Sequence, residues 1–577
     1  MIIALKKLNF LITKRQRKGF ILLTFLLFVG MILEVFALSI LIPALSIILN
    51  PETIEKTFLI GEIRIFFSEI SDKSFIYLFL FGVVLLYLVK TLFGIFLTYK
   101  QNRFLTNITA YISNNLFTSY LKQSYSFHLK KNASELINNI QVEISHLSTF
   151  LISLITFFIE GGFAFSVLAT LIYLEPFGAI SVGVFYGFLT IIFLKFTKRK
   201  LNIWGKTRQK LDIEISKIAL DGLGGIKDLL ILGKAPFFIN EFSIKNQAKA
   251  ELNSKQGTIS QIPRFYLEFI SILGLVSFII LMLFQEKETE SLITILGVFV
   301  AATFRMIPSL NRIIGATQSI KYYRHSVDII HKEVSSLDNF EKTDEINDII
   351  FKNEFELKKI DFSFKDQILV LENINLKIKK GQIVGIIGES GSGKSTLVDI
   401  IIGLHKPNSG EILIDGLVKT QLSQSWRSKI GYVPQNIFLI DDTIEKNIAF
   451  GTPENSIDRK KIANILKQVQ LEKFISNLEL GLKTKVGDRG VQVSGGQKQR
   501  IGIARALYYD PQFLILDEAT SALDSETEKN VMNTILDIRS NKTIIIVAHR
   551  ISTLFCCDKI YKIENKGVVK TDYSKLH

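Results

Sequence analysis

Apolar and polar positions divide the chain into two halves. From Phe20 to about Ile314, long apolar runs alternate with polar connections, at roughly 20–49, 75–99, 149–174, 178–197, 266–284 and 291–313. Each run reaches the ~20 residues that a helix needs to cross a hydrocarbon core, so the pattern predicts six membrane-spanning helices. The polar pair Glu175-Pro176 separates the third run from the fourth, a tight hairpin on one face. The connections at about 100–148 and 198–262 are far longer than the others. Their apolar residues recur at helical spacing, as in Leu116, Tyr120 and Leu121, or Leu211, Ile213, Ile215 and Ile218. Loops of that length are seldom structureless, so both are read as helical extensions of the spans into the cytoplasm.

Basic residues set the orientation. Lys6, Lys7, Lys14, Arg15, Arg17 and Lys18 precede the first run, and Lys195, Lys198, Arg199 and Lys200 close the fourth. Such flanks stay in the cytoplasm, and an even number of crossings puts both ends there. The connection 50–74 holds Glu52, Glu55, Glu62, Glu69 and Asp72 and fits the outside. Within it Phe58, Leu59, Ile63, Phe66, Phe67 and Ile70 follow helical spacing, predicting a short amphipathic helix over 53–71 that lies on the membrane or caps the first two spans.

Past Tyr323 the pattern changes. Residues 1–330 form the helical membrane domain and 331–354 a charged linker. Residues 355–577 form an α/β domain, in which strands such as Val384–Ile387, Phe513–Leu516 and Thr543–Val547 alternate with helices. That alternation implies a mainly parallel sheet with helices on its faces. Composition agrees: 577 residues are too many for one soluble domain, and a mean hydropathy of +0.30 with 45 Phe fits a chain part of which lives in lipid. The net charge of +15 is accounted for by cytoplasmic loops and not by a nucleic-acid partner. The cysteines, Cys556 and Cys557, are adjacent and read as reduced cytosolic thiols. The first apolar run is too long for a cleavable signal and lacks its small-residue site.

The chemistry lies in the second half. Gly388-Glu389-Ser390-Gly391-Ser392-Gly393-Lys394-Ser395 has the phosphate-loop form G-x-x-x-x-G-K-[ST], between a strand and a helix that continues with Thr396. Its glycines let backbone N–H groups converge on phosphate oxygens at a helix N-terminus. Lys394 then reaches the β- and γ-phosphates of ATP and Ser395 ligates Mg2+. Asp517 ends an apolar strand and is suited to hold the metal. Glu518 beside it is a candidate general base for the attacking water.

Ser494-Gly495-Gly496-Gln497 narrows the class. Together with the phosphate loop and Asp517-Glu518, it resembles the ATP-binding cassette superfamily. That resemblance implies the following roles. Gln435, in Gly431-Tyr432-Val433-Pro434-Gln435, contacts Mg2+. His549 contacts the γ-phosphate, and Phe364 stacks on adenine. Ser494 through Gln497 close over ATP held by a partner cassette. One cassette per chain with no degenerate element implies a homodimer with two competent sites. Thr484 to Gly490 resembles the loop typical of exporters whose cytoplasmic helices swap onto the partner cassette.

The cargo must be read from the spans. Lys90 and Arg305 fall near mid-span, with Arg264 and Arg312 nearer the inner ends. Ionised groups at membrane depth are costly and usually functional, so these four predict a basic cavity for an anionic headgroup. Internal pairing, as of Glu34 with Lys90, is the alternative. Pro263 to Glu268 and Phe304 to Ile313 resemble the fifth and sixth spans of bacterial lipid-linked oligosaccharide flippases of the protein N-glycosylation type. The resemblance implies ATP-driven flipping of a polyprenyl-pyrophosphate glycan across a bacterial inner membrane, Lys90 standing where an arginine is expected. An exporter of another lipid, a peptide or a drug is the rival.

Overall fold

The computed structural model describes residues 2–40, 71–174, 176–284, 289–337, 350–364, 369–419, 422–487, 490, 492–519, 525–537, 542–548 and 550–575. The chain divides into two compact units, the first ending at Asn339 and the second beginning at Phe340, with Ser124–Ser126 grouped with the second.

In the first unit a short helix α1 (Ile2–Leu11) precedes six long ones: α2 (Lys14–Ser39), α3 (Asp72–Leu121), α4 (Ile144–Leu174), α5 (Pro176–Gly224), α6 (Ala235–Phe284) and α7 (Thr289–Leu337). Each carries one of the six apolar runs. The amphipathic segment expected at 53–71 lies outside the described residues, apart from its last residue. At 1.5 Å per residue the 50 residues of α3 reach about 75 Å, more than twice a ~30 Å hydrocarbon core. The long polar connections are therefore helix, as expected. Phe25, Phe81, Val84 and Ile95 on the spans are exposed, which suits lipid as solvent. Among the described residues a core cluster lies in and beside the extensions, where Leu8 and Leu11 of α1, Ile112 and Leu116 of α3, Leu147 and Phe150 of α4 and Val327 and Ile330 of α7 are buried together. Each such side chain contributes about 1.5–3 kcal/mol.

Two polar details fix this region. A Cβ at Gly205 of α5 would lie 2.2 Å from the Tyr322 carbonyl oxygen of α7, so glycine permits the close crossing. One turn on, buried Arg208 lies over the rings of Tyr322 and Tyr323 and 3.5 Å from Asp212, which Lys249 approaches to 2.6 Å. The linker expected from residue 331 starts later than its charge suggested, because α7 continues to Leu337. Buried Glu333 accepts hydrogen bonds from Tyr120 Oη and Lys131 Nζ, each at 3.0 Å, which ties residues 331–337 into the bundle.

The second unit holds two sheets. Strands β1 (Glu354–Ser363), β2 (Leu369–Lys379), β4 (Ser409–Ile414) and β5 (Leu417–Lys419) form an antiparallel sheet in the order β2-β1-β4-β5. Strands β3 (Ile383–Gly388), β6 (Ile430–Val433), β7 (Phe513–Asp517), β8 (Thr543–Val547), β9 (Lys559–Glu564) and β10 (Gly567–Thr571) form a sheet in the order β10-β9-β3-β8-β7-β6. It is parallel except for β10. The mainly parallel sheet was expected; the antiparallel one was not. In β1 the apolar alternation Phe355, Leu357 changes phase to Ile360, Phe362. A bulge with Lys359 at φ +49° absorbs the extra residue, so all four remain buried. Trp426 stacks on Phe355 of β1 and packs edge-on against Phe513 of β7, which fastens the two sheets; its indole N–H donates to Ile401 O at 2.8 Å.

Candidate functional site

Parallel pairing brings the chemistry to one edge. Ile386 pairs with Val547, Asp517 with Val547 and Val433 with Leu516, so Gly388, Asp517-Glu518, Ala548 and the segment leading to Gln435 leave the sheet at the carboxyl ends of neighbouring strands. Open α/β sheets bind ligands at that edge.

The loop after β3 leads into helix α8 (Lys394–Ile402). Gly391 and Gly393 have φ +80° and +101°, and a Cβ on Gly391 would meet nothing within 4 Å. The loop thus keeps an open, left-handed concavity of the kind backbone N–H groups use for anions. A Cβ on Gly388 would come within 2.5 Å of Ser392 Oγ, which is buried and has no hydrogen-bond partner among the described residues. Lys394 is buried, and its ammonium donates to Gly388 O (2.9 Å) and Glu389 O (2.8 Å). Ser390 and Ser395 are exposed beside it, and Thr396 is half-buried. An open cradle, an orphan hydroxyl and a positioned cation fit a nucleotide's phosphate chain.

Across the edge, Asp517 is buried and accepts a hydrogen bond from Tyr432 Oη at 3.1 Å. Glu518 adopts φ +52°, a strained conformation of the kind that clusters at functional sites. Its N–H donates to Val547 O (3.0 Å), and its carboxylate accepts from Gln435 Nε2 at 2.5 Å. The buried Asp517 carboxylate, the Ser395 hydroxyl at a helix N-terminus and the Gln435 amide oxygen are hard oxygen donors, the type of ligand Mg2+ takes. Behind them Asp399 of α8 is pushed up to about 6, first by burial and then by the charge of Asp517. His405, 3.8 Å from Asp399, is held below its usual value by burial. Phe364 follows β1, is 46% exposed and packs edge-on against His405, leaving aromatic surface open to a base.

Ser494 caps helix α9 (Gly495–Tyr508). Its hydroxyl accepts from Gln497 N (3.3 Å), and Gln497 Oε1 accepts from Ser494 N (2.8 Å). The signature turn is thus a capping box that presents the helix N-terminus and its exposed Gly495. His549 lies outside the described residues.

The expected substrate cations are engaged by carboxylates wherever they are described. Lys90 of α3 lies 3.0 Å from Glu34 of α2 with both side chains 22% exposed, so it tethers two spans instead of standing open as a cavity group. Arg264 lies 3.3 Å from Glu268, one helical turn on. Arg312 of α7 donates to Glu160 of α4 at 2.7 Å, and Ser309 donates to the other carboxylate oxygen at 2.7 Å. The Arg264 and Arg312 side chains nonetheless remain 65% and 63% exposed. Leu267 and Ile270 of α6 pack with Ile307, Leu310 and Ile314 of α7, the helices that carry the two arginines. The Arg305 side chain lies outside the described residues. Glu160 and Tyr432 are the residues that sequence reasoning did not connect to their partners. Tyr432 was findable, since it pairs with Ile515 and so shares a strand face with Asp517.

A phosphate-loop sheet with a capped signature turn, joined to a bundle of six long apolar helices, defines an ATP-driven membrane transporter. Residues 20–304 match the ABC transporter transmembrane region family and residues 371–521 match the ABC transporter family. The chain belongs to the ABC transporters as a half-transporter, with one membrane domain and one cytosolic ATP-binding domain. It is an exporter in which ATP hydrolysis is coupled to transport. Among its relatives is an ATP-dependent lipid A-core flippase of Ralstonia nicotianae, 28% identical over 82% of this chain and 80% of that one. YwjA, an uncharacterized ABC transporter ATP-binding protein of Bacillus subtilis, is 32% identical over 62% of this chain and 64% of its own length. A bacterial Atm1-family ABC exporter solved with ATP bound shares the fold at TM-score 0.78, covering 97% of this chain and 96% of that one at 21% identity.

Proposed function

We propose that this exporter flips a polyprenyl-pyrophosphate-linked glycan from the cytoplasmic to the outer leaflet of a bacterial inner membrane. The observation that carries the reading is the pair of exposed guanidiniums, Arg264 and Arg312, on two helices packed together through Leu267, Ile270, Ile307, Leu310 and Ile314. Each is anchored by a carboxylate at a single contact. A guanidinium has five donors, so each can still accept an oxyanion in forked geometry. A pyrophosphate headgroup matches that chemistry, and Arg305, seven residues before Arg312 in the sequence, is the further cation of this reading. Lys90 is assigned to the α2–α3 tether. The lipid A-core flippase relative favours a second reading, export of another anionic lipid.

The motor works as a homodimer in this reading. Lys394 and the loop glycines bind the phosphates of ATP, and Phe364 stacks on its base. Ser395, Gln435 and Asp517 would hold Mg2+, which would offset phosphate charge. Glu518 polarises the attacking water, His549 contacts the γ-phosphate, and Ser494, Gly495, Gly496 and Gln497 of the second copy close the site. The test is reconstitution in proteoliposomes. Polyprenyl-pyrophosphate glycan should stimulate ATPase activity and cross leaflets, and Arg305→Ala should lose flipping while keeping basal ATPase. Stimulation by a peptide or drug but not by the glycolipid refutes the substrate.

A further inference from the structure

Tyr432 has no part in the reading so far, although it sits in the sequence that leads to Gln435. It lies on β6 opposite Ile515 of β7, and the period of two in a strand puts its side chain on the face that carries Asp517. Its hydroxyl donates to Asp517 Oδ2 at 3.1 Å. The phenol is half-buried beside that carboxylate.

We propose that Tyr432 is a positioning residue for the divalent cation that accompanies ATP: its hydroxyl orients the Asp517 carboxylate for metal binding. The inference rests on the reading of Asp517 as a metal holder. Removing an outer-shell partner of a ligating carboxylate typically weakens metal affinity 10–100-fold. Tyr432→Phe deletes one oxygen and keeps the ring that packs on the sheet.

The experiment titrates Mn2+ into the full-length protein in nanodiscs with a non-hydrolysable ATP analogue, read by electron paramagnetic resonance. Nucleotide binding without metal is measured in EDTA by fluorescence of a trinitrophenyl ATP analogue. Tyr432→Phe should weaken Mn2+ binding about tenfold and leave metal-free nucleotide binding unchanged. Asp517→Asn is the reference. If it weakens Mn2+ binding and Tyr432→Phe does not, the positioning role is wrong. If neither variant changes Mn2+ binding, the metal role of Asp517 itself falls. Equal loss of metal-free nucleotide binding in Tyr432→Phe would make the residue merely structural and overturn the inference.

Discussion

Arg312→Ala tests whether the membrane charges serve structure, cargo or both. Glu160 is 12% exposed and accepts two hydrogen bonds, from Ser309 and from Arg312, each at 2.7 Å. Removing Arg312 leaves a largely buried carboxylate with one donor. Breaking a fully buried pair costs about 3–5 kcal/mol. Here the arginine is 63% exposed, which screens the attraction, and Ser309 stays. The loss should therefore be nearer that of one charged hydrogen bond, about 1.5–3 kcal/mol. Glu160→Gln combined with Arg312→Ala should recover most of it, because the neutral amide needs no counter-charge. The assay is unfolding in mixed detergent–SDS micelles followed by circular dichroism, with glycolipid-stimulated ATPase measured on the same preparations. The double variant should fold with near wild-type stability yet lose stimulation. A single Arg312→Ala that costs under about 0.5 kcal/mol refutes the pairing argument. A double variant that keeps full stimulation refutes the headgroup argument.

Three further outcomes follow from the geometry. Asp399→Asn should stabilise the cassette at pH 7.5 by up to about 3 kcal/mol and have little effect below pH 4, in denaturant melts across pH. The sign is set by a folded value raised to about 6: the native state holds this proton more tightly, so the group's contribution is full below its unfolded value and lost as pH rises through 6. Ser494→Ala should remove the capping box and cost about 1 kcal/mol of cassette stability, with Ser494→Asn restoring most of it. Gly205→Ala should force α5 from α7, since the new methyl would lie 2.2 Å from Tyr322 O. A stability loss of about 1–3 kcal/mol in the same micelle assay is expected, with coupling lost before basal ATPase.

What was legible in the sequence was whatever local patterning dictates. Six apolar runs gave six long helices, because crossing lipid requires length and apolarity within one segment. The phosphate loop and Asp517-Glu518 could be read because a strand, a turn and a helix fix them with few outside contacts. The antiparallel sheet stayed hidden because β1 changes phase at Lys359, and a period-two reading breaks there. The pairings of Lys90 and Arg312 were not decidable, since Glu34 and Glu160 belong to helices whose rotation only tertiary packing sets. The capping function of Ser494 and Gln497 was visible as S-x-x-Q, but the stronger nucleotide signal masked it.

The candidate nucleotide site carries internal bonds of its own. Lys394 is held by carbonyls of its own loop and Glu518 by Gln435. On the proposed reading, a nucleotide that enters trades these bonds for its own and does not simply add to them. Its affinity is a difference, smaller than its contacts suggest. Once the product leaves, the same partners are at hand to take these bonds back. A pump that must let go once per stroke gains from a site that already has somewhere to return to.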